Sequence, residues 1–164
     1  MISVRENTFE TNSSSCHSLT IIKKSLAEKL KNKEVFYIGN YKCYSDCDEV
    51  LVNDLGNVPE KDLITAAQLR QKIKEWVATN TDTSEWTVEL REGLSKLDLD
   101  NCSFEDMEEV YGDSIEEFAN CHLDLEIEYP WRILGDSDAY VQWKKEIPTE
   151  DGDVEVIKLM DISC

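Results

Sequence analysis

"SFEDMEEVYGDSIEEFANCHLDLEIEY", residues 103–129, changes its hydrophobic period within one run. Its first part carries two helix-start signatures, Ser103-x-x-Asp106 and Ser114-x-x-Glu117. In such a box a serine hydroxyl accepts from the backbone N–H three residues on, while the later side chain reaches back to the cap. Acidic residues fill both first turns, where the positive end of the helix dipole favours them. Two short acidic helices broken at Gly112 are expected. The last part alternates Leu123, Leu125, Ile127 and Tyr129 with Asp124, Glu126 and Glu128, the period of a strand with one buried face and one face of carboxylates. Helices followed by strands place the chain in the α+β class.

Toward the C-terminus, "DAYVQWKKEI" (138–147) and "DVEVIKLMDI" (153–162) are joined by "PTEDGD", whose Asp151-Gly152 suits a hairpin turn. With 122–129 they make an expected three-stranded antiparallel meander. Toward the N-terminus, "TAAQLRQKIKEWVATN" (65–80) is the clearest helix. Thr65-x-x-Gln68 is a capping box, and Ala66, Leu69, Ile73, Trp76 and Val77 share one face. A short helix is expected in "SLAEKLKNK" (25–33) from Ser25-x-x-Glu28, and a strand in "EVFYIG" (34–39) with Gly39 as its stop. Between 41 and 62 a short helix is expected over 49–55, then a break at Gly56-Asn57-Val58-Pro59. "ISVRENTFE" (2–10) and "SLTIIKK" (18–24) read as strands flanking a polar connection. The expected architecture is a single domain over 1–164, with short N-terminal strands, central helices and the C-terminal meander.

A chain of 164 residues with 41% hydrophobic content and four tryptophans should form a folded core unaided. Its 35 Asp plus Glu against 17 Lys plus Arg leave a net charge of -18. Binding to nucleic acid depends on neutralising phosphates with Lys and Arg, so direct contact with DNA or RNA is disfavoured and basic protein partners are favoured. No apolar run reaches the ~18 residues of a membrane helix, and the N-terminal residues lack a signal-peptide pattern, so a cytoplasmic setting is expected. There the six cysteines, at 16, 43, 47, 102, 121 and 164, are expected to be reduced thiols.

The polar octet "TNSSSCHS" (11–18) gathers hydroxyls, a carboxamide, a thiol and an imidazole. Several readings stand side by side. Asn12 and the serines can satisfy local backbone groups in a hydrogen-bonded turn. Asn12, Ser13, Ser14 and Ser15 can form a nest for phosphate or carboxylate. Ser15 or Cys16 can act as a nucleophile with His17 as base, although strand neighbours point to opposite sides and such a dyad needs a kink. The serines can also be modified. Arg5, Glu10 and His122 are the side chains such an enzyme site would need beside His17. "RENTFETNSSSCHSLTI" (5–21) resembles an N-terminal signature of uncharacterised small bacterial and phage proteins. The matching residues are Arg5, Phe9, Glu10, Thr11, Asn12, Ser13, Ser14, Ser15, His17 and Ser18, with Cys16 at a variable position. The resemblance implies a mobile-element setting and carries no activity.

Cys43-x-x-x-Cys47 is the one metal-like pair, and Cys16–His17 and Cys121–His122 are adjacent pairs that chelate poorly on regular backbone, so no metal is expected. No Walker, Gly-rich phosphate or His-Glu-x-x-His pattern is present, and no cofactor is implied. The carboxylates Asp98, Asp100, Glu105, Asp106, Glu108, Glu109, Asp113, Glu116, Glu117, Asp124, Glu126 and Glu128 instead suggest a charged face. Of these, Glu105, Asp106, Glu108, Glu109, Asp113, Glu116, Glu117, Asp124, Glu126 and Glu128 are the expected partner contacts. The reading that follows is a small acidic protein-binding module docking on a basic, nucleic-acid-handling host protein. Its sharper form is a mimic of nucleic acid that blocks a nuclease, polymerase or CRISPR-type effector. A small enzyme or anion-binding protein built on residues 11–18, and a phage structural or assembly component, are the alternatives.

Overall fold

The computed structural model describes residues 16–40, 51–135, 141–150 and 152–161, with the side chains at 16–18, 51, 141–143 and 158–161 left aside. It is an α+β protein whose described elements fall into two compact units. The first contains a four-stranded sheet in the order β3-β1-β6-β5. Its strands are β1 (Cys16–Lys23), β3 (Leu51–Leu55), β5 (Val141–Ile147) and β6 (Val154–Asp161). β1 runs parallel to β3 and antiparallel to β6, which pairs antiparallel with β5.

The run Leu19-Thr20-Ile21-Ile22, three of its residues β-branched, explains why β1 is central. Leu19, Thr20 and Ile22 are all buried although they alternate between faces, as a strand covered on both sides requires. On one face Leu19 packs with Val154 and Val156, and with the half-buried Ile21 and Ile147. The register sets Ile21 opposite Val156 and Ile147 opposite Val154. On the described edge strand β5, Lys144, Lys145 and Glu146 are exposed, and such charges discourage pairing with another chain. The β5–β6 connection is the expected hairpin, closed by Gly152 at φ 109, a conformation that suits glycine.

The second unit pairs β2 (Val35–Tyr37) with β4 (Leu63–Thr65), Phe36 opposite Ile64, and stacks four helices around one apolar core. These are α2 (Ala66–Thr79), α3 (Glu85–Ser95), α4 (Phe104–Tyr111) and α5 (Ile115–His122). α1 (Lys24–Lys31) follows β1 directly, and α6 (Pro130–Leu134) is a short turn of helix. Phe36 meets Phe104 edge-on at 5.4 Å, and Trp76 meets Phe118 at 5.2 Å, the offset geometry aromatic pairs prefer. Thr65 and Ser103 form the expected capping boxes, and Gly112 ends α4 at φ 85. At Gly93 a Cβ would lie 2.6 Å from Val110 Cγ1, so α3 and α4 approach there as only a glycine allows.

Three expectations need correction. Residues 123–129 are not a strand. Asp124 turns left-handed at φ 52, and Glu128 alone in this run makes an isolated bridge, to Tyr37. The C-terminal meander therefore has β5 and β6 as its strands, and β6's other neighbour is β1. Residues 51–55 form strand β3 rather than the end of a helix, because Leu55 and Asn53 are buried on alternate positions beside β1. Ser25 lies inside α1 rather than at its cap, since β1 runs through Lys23 and the helix begins at Lys24. α3 is a further helix that no capping box announces, although Leu90 and Leu94 stand one turn apart and are both buried. The expected strand 2–10 lies outside the described residues.

Candidate functional site

Between Lys96 and Arg132 the sequence has no Lys or Arg, and α4, α5 and the segment after them occupy most of that stretch. Glu105, Asp106, Glu109, Asp113, Asp124 and Glu126 are exposed, as are Asp98 and Asp100. Glu105 and Glu109 stand one turn apart on α4, about 6 Å along the helix axis. Asp106 closes the capping box by accepting from the Ser103 hydroxyl and N–H, both at 2.8 Å, and these bonds hold its carboxyl below the usual range. Asp100 pairs with Lys74, and Asp98 accepts from Asn101 at 2.8 Å, which keeps it ionised.

Not every acid expected at the surface is there. Glu116 is only 3% exposed, and burial pushes its carboxyl above 4.5. Its position was readable in part: it stands about 60° around the helix from the buried Ala119, at the rim of the apolar face. Glu108 is half-buried; its Oε1 meets Lys33 Nζ at 2.6 Å and accepts the Ile115 N–H at 2.8 Å, so it ties α4 to the first turn of α5. Glu117 accepts from the Tyr129 hydroxyl and, at 3.3 Å, from the Cys121 thiol, which hold its carboxyl down. Glu128 is half-buried, with its N–H on the Tyr37 carbonyl at 2.8 Å. Glu108 and Glu117 are thus tied into the fold, Glu116 is buried at a cost and Glu128 is half-buried, so the charged surface is formed by the others.

Beside them sits an aromatic group unseen in the sequence. His122, the last residue of α5, is enclosed by Phe118 at 5.0 Å, Trp76 at 5.3 Å, Trp86 at 5.4 Å and Tyr111 at 5.7 Å. Its Nε2 is buried with no hydrogen-bond partner, and burial lowers its pKa below 6.5. His122 is thus a neutral packing residue at pH 7. Trp86 covers it from α3 at an interplanar angle of 30° yet is 49% exposed, whereas Trp76 is buried. The Tyr111 hydroxyl is pushed up to about 12, first by burial and then by Cys121. The exposed Cys121 thiol is raised too, chiefly by its bond to Glu117, so it stays protonated and weakly nucleophilic.

No family model, curated protein or solved structure matches this chain.

Among the described residues no group of three or more His, Cys, Asp or Glu could hold a metal ion, and no helix is long and apolar enough to cross a membrane. Cys16 and His17 lie in β1 rather than in a loop, with their backbones in register with Asp161 and Met160. Arg5, Glu10, Asn12, Ser13, Ser14, Ser15, Cys43 and Cys47 lie outside the described residues. The chemistry that α3, α4 and α5 present is a field of exposed carboxylates with a half-exposed indole among these helices.

Proposed function

We propose that this protein is an acidic binding module that docks on a basic surface of another protein through α4, the α4–α5 turn and the segment after α5. The observation that carries the reading is the cation-free stretch between Lys96 and Arg132, with Glu105, Glu109, Asp113, Asp124 and Glu126 exposed on it. None of these five forms an ion pair among the described residues. Carboxylates committed to caps and internal hydrogen bonds explain folding; Asp113 does accept the Ser114 N–H at 2.7 Å, but Glu105, Glu109, Asp124 and Glu126 make no such bond among the described residues. A surface of this sign, on a chain of net charge -18, steers toward a lysine- and arginine-lined groove and repels nucleic acid. A groove shaped for a phosphate backbone is one such partner, and the sharper form of the proposal is competition with nucleic acid for it. The N-terminal resemblance to phage and bacterial proteins favours a host protein as the target.

The test is competition. Purified nucleic-acid-binding proteins with basic grooves are titrated with the full chain, with and without duplex DNA. A complex that DNA displaces, and that loosens steeply from low to moderate salt, supports the reading. The variant Glu105→Gln, Glu109→Gln, Asp124→Asn, Glu126→Gln should lose the complex while remaining folded. A complex insensitive to salt and to these four changes overturns it.

A further inference from the structure

We infer that Trp86 is an anchor for an arginine side chain of the basic partner, an inference that rests on the docking role proposed above. Trp86 is the large aromatic that the second unit leaves half open, at 49% exposed, although His122 at 5.4 Å and Tyr111 at 6.0 Å fix its ring. A ring held on one side and open on the other is preorganised for stacking, and tryptophan is among the residues that dominate interface energetics.

Its surroundings decide what stacks there. Glu89, three residues on along α3, is exposed and shares its side of the helix. Asp82, ahead of α3, accepts from Ser84 and Thr87, which keep it ionised. Asp113, in the α4–α5 turn, is close enough to act electrostatically on the Tyr111 hydroxyl. The one cation of α3, Arg91, is turned to the Asn80 carbonyl. An indole face with carboxylates on the neighbouring segments, and with no cation over it among the described residues, suits a guanidinium, which stacks flat on the ring while its N–H groups reach carboxylates in pairs. Lysine offers a point charge and no plane. A nucleic-acid base would stack equally well, but its phosphates would face these same acids. A second copy of the chain would bring a further -18 charges to the contact.

The full chain labelled with 5-fluorotryptophan gives a fluorine resonance for each of its four tryptophans, with Trp86 assigned by Trp86→Phe. The probes are two capped pentapeptides, Gly-Arg-Gly-Arg-Gly and Gly-Lys-Gly-Lys-Gly. The expected result is a saturable shift of the Trp86 resonance with the arginine peptide and a weaker response to the lysine peptide. Trp86→Ala should weaken the arginine peptide by about 2- to 5-fold, the size of an exposed cation–π contact. Glu89→Gln with Asp113→Asn should weaken both peptides. Unchanged resonances from the other tryptophans show that each variant is folded. If the arginine peptide binds while Trp86 stays silent, or binds Trp86→Ala equally well, the anchor is overturned and the docking role stands. If neither peptide binds, the anchor is overturned too, and the DNA competition above decides the docking role by itself.

Discussion

The Asn120 carboxamide takes both backbone groups of Ile127: its Oδ1 accepts the Ile127 N–H at 2.7 Å and its Nδ2 donates to the Ile127 carbonyl at 3.1 Å. A side chain of α5 thus does for residues 123–129 what a neighbouring strand would have done. Ile127 is buried in the second unit's core, so its backbone cannot turn to water. Asn120→Ala should cost about 2 to 4 kcal/mol, because two part-buried groups lose their partners together. Asn120→Asp keeps the acceptor and sets a carboxylate against a carbonyl, so it should also destabilise. Urea unfolding of the three proteins checks this; an Asn120→Ala midpoint equal to wild type would show that the segment holds its place without the carboxamide.

That relationship also shows where the sequence was legible. Capping boxes, apolar spacing and an Asp-Gly turn signal are local, and they place α2, α4, α5 and the β5–β6 hairpin. The alternation of Leu123, Leu125 and Ile127 is equally local, but a strand needs a partner, and which partner is available is a tertiary fact. Asp124 in the left-handed region bends the chain after α5, and the pattern then reports burial of alternate side chains on an extended segment. β3 failed for a similar reason, since only its neighbour β1 makes it a strand. At the site, Glu116 and the ring group around His122 depend on which helices meet, and no spacing within one helix encodes that.

Gly93 gives a sharper packing test. Gly93→Ala drives a methyl toward Val110 Cγ1, which sits too close to yield without moving α4 from α3. Overpacking of this kind costs about 1 to 3 kcal/mol, more than the gain in helix propensity from alanine. Val110→Ala should recover much of the loss in the double variant. The double-mutant cycle, read by thermal or denaturant unfolding, should therefore be strongly non-additive. Additive costs would mean that the two side chains do not meet.

Glu116 should make stability fall as pH rises. Its folded carboxyl titrates above 4.5 because burial disfavours the charge, so the native state holds this proton more tightly than the unfolded chain does. The penalty is absent below the unfolded value, grows as pH climbs from 4.5 through the folded value, and is complete above it. Glu116→Gln should be more stable than wild type at pH 7, with the difference closing near pH 4. Lys33 and Glu108, which act on Glu116 with opposite signs, remain in the variant. Equal stabilities at pH 7 would place the Glu116 carboxylate in water.

His122 works in the opposite direction. Its pKa is lowered by burial among Trp76, Trp86, Tyr111 and Phe118, so protonation is harder in the folded protein than in the unfolded chain. The neutral form's advantage is intact above 6.5 and is lost as pH falls below it. NMR titration of the imidazole should give a midpoint below 6.5, and His122→Phe should lessen the loss of stability on acidification. A midpoint at or above 6.5 would mean that a carboxylate reaches the ring.

Glu105 and Glu109 stand four residues apart on α4, both exposed, and like charges at that spacing cost the helix about 0.2 to 0.5 kcal/mol. Glu109 also lies in the last turn, where the negative end of the dipole disfavours a carboxylate. Glu109→Lys reverses both effects, turning repulsion into a Glu-to-Lys pair in its better orientation and placing a cation at the helix end. The gain should be about 0.5 to 1.5 kcal/mol at low salt, shrinking as salt screens it. A folding explanation for Glu109 therefore predicts the wrong sign, whereas a docking surface tolerates local repulsion for the field it projects. Thermal unfolding and partner affinity should move in opposite directions in Glu109→Lys: a higher midpoint and weaker binding. A variant that is more stable and binds as tightly would remove Glu109 from the interface.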